Sequence, residues 1–138
     1  MDIEQKEDRR VRKTKKALRE GLAELLTQKS IQKITVRELT DKVDIHRSTF
    51  YANYEDIYDL YKQTEDVVVA EIIEIFTANY TTDTKTFFEI LFKYILENRQ
   101  ICKMYVGKNG SPSFHNRLTD LLKKAYIESS GLFERGIW

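Results

Sequence analysis

A single cysteine, Cys102, stands among the 138 residues. One thiol excludes an intramolecular disulfide and any multi-cysteine zinc site, and it fits a reducing cytoplasm, the expected compartment. Proline is as scarce, at one, and glycine occurs five times; with so few breakers, long helices are expected. No apolar run approaches the roughly 18 residues that a membrane helix needs, and neither end carries a secretory signal pattern. His46, His115 and Cys102 are scattered through the chain. No nucleophile motif, Gly-rich phosphate loop or paired metal ligands accompany them, so catalysis, a metal and any other cofactor are not expected. Cys102 reads as a small core residue and His115 as a surface one on the first turn of its helix.

What is there points to one class. Hydrophobic residues make up 41% and charged ones 33%, ordinary for a soluble, helix-rich protein with a real core. The net charge of +1 hides an asymmetry. Residues 9–54 carry twelve Lys and Arg against five Asp and Glu, a net of +7, while residues 1–8 and 55–138 each contribute −3. A positive field confined to one end is the footprint of a nucleic-acid binder, although most charge runs are only solvated helix faces.

The chain from Thr35 to Tyr54, TVRELTDKVDIHRSTFYANY, carries the densest pattern. Thr35 and Glu38 stand in the Ser/Thr-x-x-Glu spacing of a capping box, in which each side chain caps the other's amide. Val36, Leu39 and Val43 then recur at helical spacing, a short helix of about two turns. After the polar break Asp44-Ile45-His46, Arg47 to Tyr54 forms a second helix with Phe50 and Tyr54 inward and a polar, basic exterior. Two short helices joined by a three-residue turn are the pattern of a helix-turn-helix, and a major groove admits one such helix.

At these residues the chain resembles the amino-terminal helix-turn-helix of the TetR family of transcriptional repressors: a capped second helix, a turn, a recognition helix ending in aromatic-x-x-aromatic, and a capped fourth helix. The likeness runs from about Arg9 to about Ala70. Asp44 stands where that family has Gly, and tolerates left-handed backbone better than most residues. His46 stands where it has Ser or Thr, a poorer cap that could instead face the phosphate backbone.

The rest follows in order. Met1 to Asp8 reads as a disordered tail. From about Arg10 to Gln28, Ala17, Leu18, Leu22, Leu25 and Leu26 form one amphipathic stripe. Its polar start holds Arg9, Arg10, Arg12, Lys13, Lys15 and Lys16, where the helix dipole favours acids instead; phosphate contact is the alternative rationale. Ile31, Ile34, Leu22, Leu25, Leu39, Val43, Ile45 and Phe50 are the expected core of a three-helix head, residues 9–55. The body, residues 56–138, begins with a helix capped by Asp56 and running to about Phe76 or Ala78. Helices at Thr84 to Asn98, Asn98 to Val106 and from Pro112 to about Ser129 follow. The fold class expected is all-α, a helix-turn-helix head and a small helical body.

The resemblance implies a sequence-specific regulator, a repressor on double-stranded DNA. Arg47, Ser48 and Thr49 would reach base edges and Tyr51 a phosphate, while Thr35, Arg37, His46, Arg10 and Lys13 would hold the backbone. A small-molecule effector would bind in the body. Its aromatics, Phe76, Phe88, Phe92 and Tyr105, are candidates for that pocket and equally for plain core. Family bodies end in two long dimer helices for which little chain remains after Ser129, so the chain is read as a short or truncated member. It is expected to form a homodimer through the helix near Ser113 to Ser129 and the apolar end Leu132 to Trp138; a monomer with that end folded back is the alternative. A module that keeps the fold and serves a partner as coactivator, without DNA, is the other function class, and the intact basic surface favours DNA.

Overall fold

The computed structural model describes residues 2–79, 83–107 and 110–130, and every regular element among them is a helix. In chain order these are α1 (Asp2–Leu25), a single 3-10 turn (Ile31–Lys33), α2 (Val36–Val43), α3 (Arg47–Asn53), α4 (Ile57–Asn79), α5 (Thr84–Glu97), α6 (Arg99–Val106) and α7 (Pro112–Ser130). No helix of the described residues is long and apolar enough to cross a membrane. By its internal contacts the chain divides into Met1–Thr64 and Glu65–Trp138. That division falls inside α4 rather than ahead of it at residue 55.

The first unit is built on α1, whose buried face is Leu18, Gly21, Leu22 and Leu25, the i, i+3, i+4, i+7 stripe of a packed helix. Residues 2–8, read from the sequence as a tail, belong to α1. Residues 2–20 contain no Gly or Pro and are mostly Glu, Gln, Lys, Arg, Ala and Leu, all good helix formers, so nothing local stops the helix sooner. Ile34, Leu39, Phe50 and Tyr54 close the core, while Ile31, Val43 and Ile45 reach only half burial.

At Gly21, α1 packs directly against side chains of α2. A Cβ there would stand 2.5 Å from Val43 Cγ1 and 2.9 Å from Leu39 Cδ1. Val43 is β-branched with little rotamer freedom, so it cannot swing aside cheaply. Alanine in place of glycine should gain up to about 1 kcal/mol of helix propensity and lose about 1–3 kcal/mol to overpacking. Gly21→Ala is therefore expected to lower the urea midpoint; a raised midpoint would mean that α1 and α2 can separate freely.

Local capping shapes the helices that follow. The Thr35 hydroxyl accepts the Glu38 amide at 3.1 Å, half of the expected capping box. The other half is replaced, because the Glu38 carboxylate takes Lys29 Nζ at 2.6 Å. At the α4 start Asp56 accepts the Asp59 amide, and the Asp59 carboxylate reaches one residue past that cap to accept the Glu55 amide. That amide and Gln63 hold the Asp59 carboxyl below its ordinary range.

In the second unit, Val68, Val69 and Ile72 of α4 are buried, as are Ile101, Cys102, Met104 and Tyr105 of α6 and Phe114 of α7. Tyr105 stacks on Phe114 at 5.1 Å. Burial, and secondarily Glu71, push the Cys102 thiol up, as expected of an inert core cysteine. Gly110 packs so tightly on the Tyr105 carbonyl that no side chain fits there. The buried carboxylate of Glu65 accepts hydrogen bonds from the Ser111 and Ser113 hydroxyls and pairs with Arg117, which also holds Asp66. The apolar end, Leu132 to Trp138, lies outside the described residues.

Candidate nucleic-acid interface

The geometry of the expected site begins at the turn between α2 and α3. Asp44 takes the left-handed conformation, φ 56° and ψ 48°, the sole positive φ outside glycine among the described residues. Its amide and that of Ile45 both return to the Thr40 carbonyl, which closes α2 within one residue. A short Asx side chain is among the few that tolerate this backbone, so the turn forms without glycine.

His46 is the cap of α3. Its Nδ1 accepts the Ser48 amide at 3.1 Å and the Ser48 hydroxyl at 2.8 Å. Accepting through Nδ1 puts the imidazole proton on Nε2, so the exposed ring keeps one donor pointing away from the helix. Thr35 is similar, since its oxygen receives the Glu38 amide while its own O–H stays free to donate.

Helix α3 is only seven residues long, about 10 Å, and isolated helices of that length are not stable. It is held from behind. Phe50 is fully buried, with Tyr51 edge-on at 5.3 Å and Tyr54 at 5.7 Å. The Tyr54 hydroxyl is pushed up by burial, and the Arg19 guanidinium opposes that shift by its charge and a hydrogen bond. Arg19 of α1 therefore lies close to the end of α3, with its Nε buried and without a hydrogen-bond partner among the described residues. Neither Arg19 nor Gly21 stands in a motif of the sequence; Gly21 is legible only as the small residue inside the Leu18–Leu25 stripe.

Anchoring Phe50 and Tyr54 leaves Arg47, Ser48 and Tyr51 on the outer face, Tyr51 at 57% exposure, with Thr49 half-buried. Thr35, Arg37, His46, Arg10 and Lys13 are also exposed. Arg37 makes only a loose 3.9 Å contact with Asp41, both side chains largely in solvent, a pair that water and salt nearly cancel. No ion pair holds Arg10, Lys13 or Arg47 among the described residues. Such a surface can donate hydrogen bonds and positive charge to an anionic polymer. No cluster that could hold a metal ion occurs among the described residues.

Of the four aromatics considered for an effector, Phe76, Phe88 and Phe92 are joined through Phe87, while Tyr105 stacks on Phe114. Phe76 meets Phe87 at 4.8 Å, Phe87 meets Phe88, and Phe88 stacks on Phe92 at 5.9 Å. Phe88 and Phe92 are exposed, however, and Tyr105 is core. A separate open groove of about 470 Å³ is lined by Glu71, Glu74, Ile75, Ala78 and Tyr94, with the Tyr94 hydroxyl donating to Glu71 at 2.6 Å.

Compared with known proteins, residues 82–131 match a family model described as transcriptional regulator C-terminal region. No curated protein and no solved structure matches the chain.

Proposed function

We propose that this chain, whose residues 82–131 match the C-terminal region of TetR-family transcriptional regulators, a class that regulates and does not catalyse, is a DNA-binding repressor that reads its operator with α3. The observation that carries the reading is the outer face of α3, where Arg47, Ser48 and Tyr51 stand exposed on a helix anchored from behind by Phe50 and Tyr54. The +7 of residues 9–54 adds the field that draws a polyanion. Arg47 and Ser48 reach base edges, Thr49 lies at the margin, and Tyr51 donates to a phosphate. Thr35, Arg37, His46 Nε2–H, Arg10 and Lys13 hold the backbone. A single small head makes few contacts, so two copies bind as a homodimer on half-sites about one helical turn apart. For ligand response, the open groove beside Tyr94 is the candidate effector site, since Phe88 and Phe92 face solvent and Tyr105 is core.

Selecting bound fragments from genomic DNA tests the reading and yields the operator. On that operator, Arg47→Ala is expected to cost about 1–3 kcal/mol and to relax sequence preference. An unchanged ratio of specific to random affinity would remove Arg47 from base readout.

The backbone contacts predict a different behaviour. Affinity should fall by about 0.9 log units per decade of salt for each phosphate contact. Replacing Arg10 and Lys13 together with alanine should flatten that slope by up to about two contacts' worth and leave sequence preference intact. A slope equal to the parent's would take the start of α1 out of the interface.

A further inference from the structure

Helix α5 is apolar in sequence, yet none of its residues is buried. One side rests on its own unit, through the Phe76–Phe87 ring contact and the Tyr94–Glu71 hydrogen bond. The other presents Phe88, Phe92, Ile95 and Leu96 at 43, 56, 37 and 67% exposure. Their spacing of i, i+4, i+7 and i+8 makes one continuous strip, and a strip of that kind on a soluble surface marks a contact site. In α7, by contrast, Leu118 and Leu121 are half-buried and Leu122 is exposed.

The charges beside the strip say what covers it. Lys85, Glu89, Lys93 and Glu97 follow one another every fourth residue along its edge, all exposed. In an antiparallel helix pair the same flank of each helix faces its copy, and a row reading plus, minus, plus, minus is its own complement when reversed. Centred on Leu91, such a pair sets Lys85 against Glu97 of the second copy and Glu89 against Lys93 of the second copy. A parallel pair would instead bring this row against the flank of Phe87 and Tyr94, which their own unit already occupies. Pairing within the helix does not account for the row: Lys93 and Glu97 approach only to 4.0 Å, in the less favourable orientation with the base first, and such pairs leave the apolar strip uncovered.

We propose that a second copy of this chain docks on the Phe88–Phe92–Leu96 face, α5 against α5 in antiparallel two-fold register. The proposal rests on the two-headed reading above and names its interface.

Sedimentation at tens of micromolar tests it, with circular dichroism as the check on folding. The parent chain is expected at about twice its 16.4 kDa mass. Lys85→Glu with Lys93→Glu makes the row wholly acidic, and Glu89→Lys with Glu97→Lys makes it wholly basic. Each double variant alone should be monomeric, its self-affinity weakened by at least about a hundredfold by facing like charges. Mixed, the two should recover a one-to-one dimer, which misfolded chains would not do. A double variant that dimerises like the parent, or a mixture that stays monomeric, overturns the proposal. So does a monomeric parent; a dimer that forms only after removal of residues 131–138 would assign the face to the chain's own end. Half-site DNA binding separates this from the functional reading. Monomeric variants that still bind a half-site leave that reading intact, whereas a dimer of the expected register that binds no DNA overturns the reading alone.

Discussion

Phe50→Ala is expected to remove about 3–5 kcal/mol, a third or more of the first unit's stability. Phe50 is fully buried and braces α3 through Tyr51 and Tyr54. Truncating a buried phenylalanine costs about 3–5 kcal/mol in lost transfer energy and cavity. Domains hold roughly 0.05–0.15 kcal/mol per residue, which for residues 1–64 amounts to about 3–10 kcal/mol. The loss therefore falls between about a third and the whole of it. It falls first on α3, which is too short to persist alone. Urea titration by circular dichroism, with DNA binding read in parallel, checks it. Phe50→Leu refills most of the volume, so it should lose far less and keep DNA binding. If Phe50→Ala unfolds within about 1 kcal/mol of the parent, a shift typical of surface sites, then α3 is not held from behind in the way described.

The local grammar of the chain was legible. Thr35 caps α2, Asp56 caps α4, Asp83 caps α5 and Ser111 caps α7, because each needs only one short oxygen-bearing side chain and the backbone amide three residues on. The left-handed Asp44 is legible from residue type, since a short Asx side chain tolerates that backbone. Cys102 reads as core from its residue type and is buried.

What escaped depends on contacts distant in sequence or on competition between partners. His46 ranks poorly as a cap by residue type, yet it serves as one because Nδ1 can accept. Glu38 abandons the reciprocal cap since Lys29, nine residues away, offers a charge-assisted bond. Tyr105 and Phe92 look equally suited to core or pocket in sequence. Burial sends one inward and leaves the other at 56% exposure. The exposed residues proposed to meet DNA were legible as a pattern, since burial of Phe50 and Tyr54 dictates which neighbours face out. Which bases they would read is a property of the operator and is written nowhere in the chain.

Arg117→Ala should be the most damaging single change in the second unit outside its apolar core. Glu65 and Arg117 lie 52 residues apart and meet at 3.1 Å, with the Glu65 side chain at 7% exposure. Arg117 also bonds Asp66 at 2.9 Å. That bond first, and Glu65 after it, hold the guanidinium above its ordinary range, while burial opposes them. Two hydroxyls, from Ser111 and Ser113, would remain on Glu65 after the change, but no positive charge would. Removing one partner of a buried pair costs about 3–5 kcal/mol, chiefly for the charge left behind. Arg117 is 38% exposed, so water can follow it in, and the cost should sit near the lower end, about 3 kcal/mol. The cause gives its own check, because the penalty belongs to the orphaned carboxylate. Glu65→Gln in the Arg117→Ala background removes that charge and keeps an acceptor for the serines, so it should restore about half of the loss. Both variants are compared by urea unfolding. If Glu65→Gln further destabilises Arg117→Ala, the serines rather than the arginine carry the buried carboxylate.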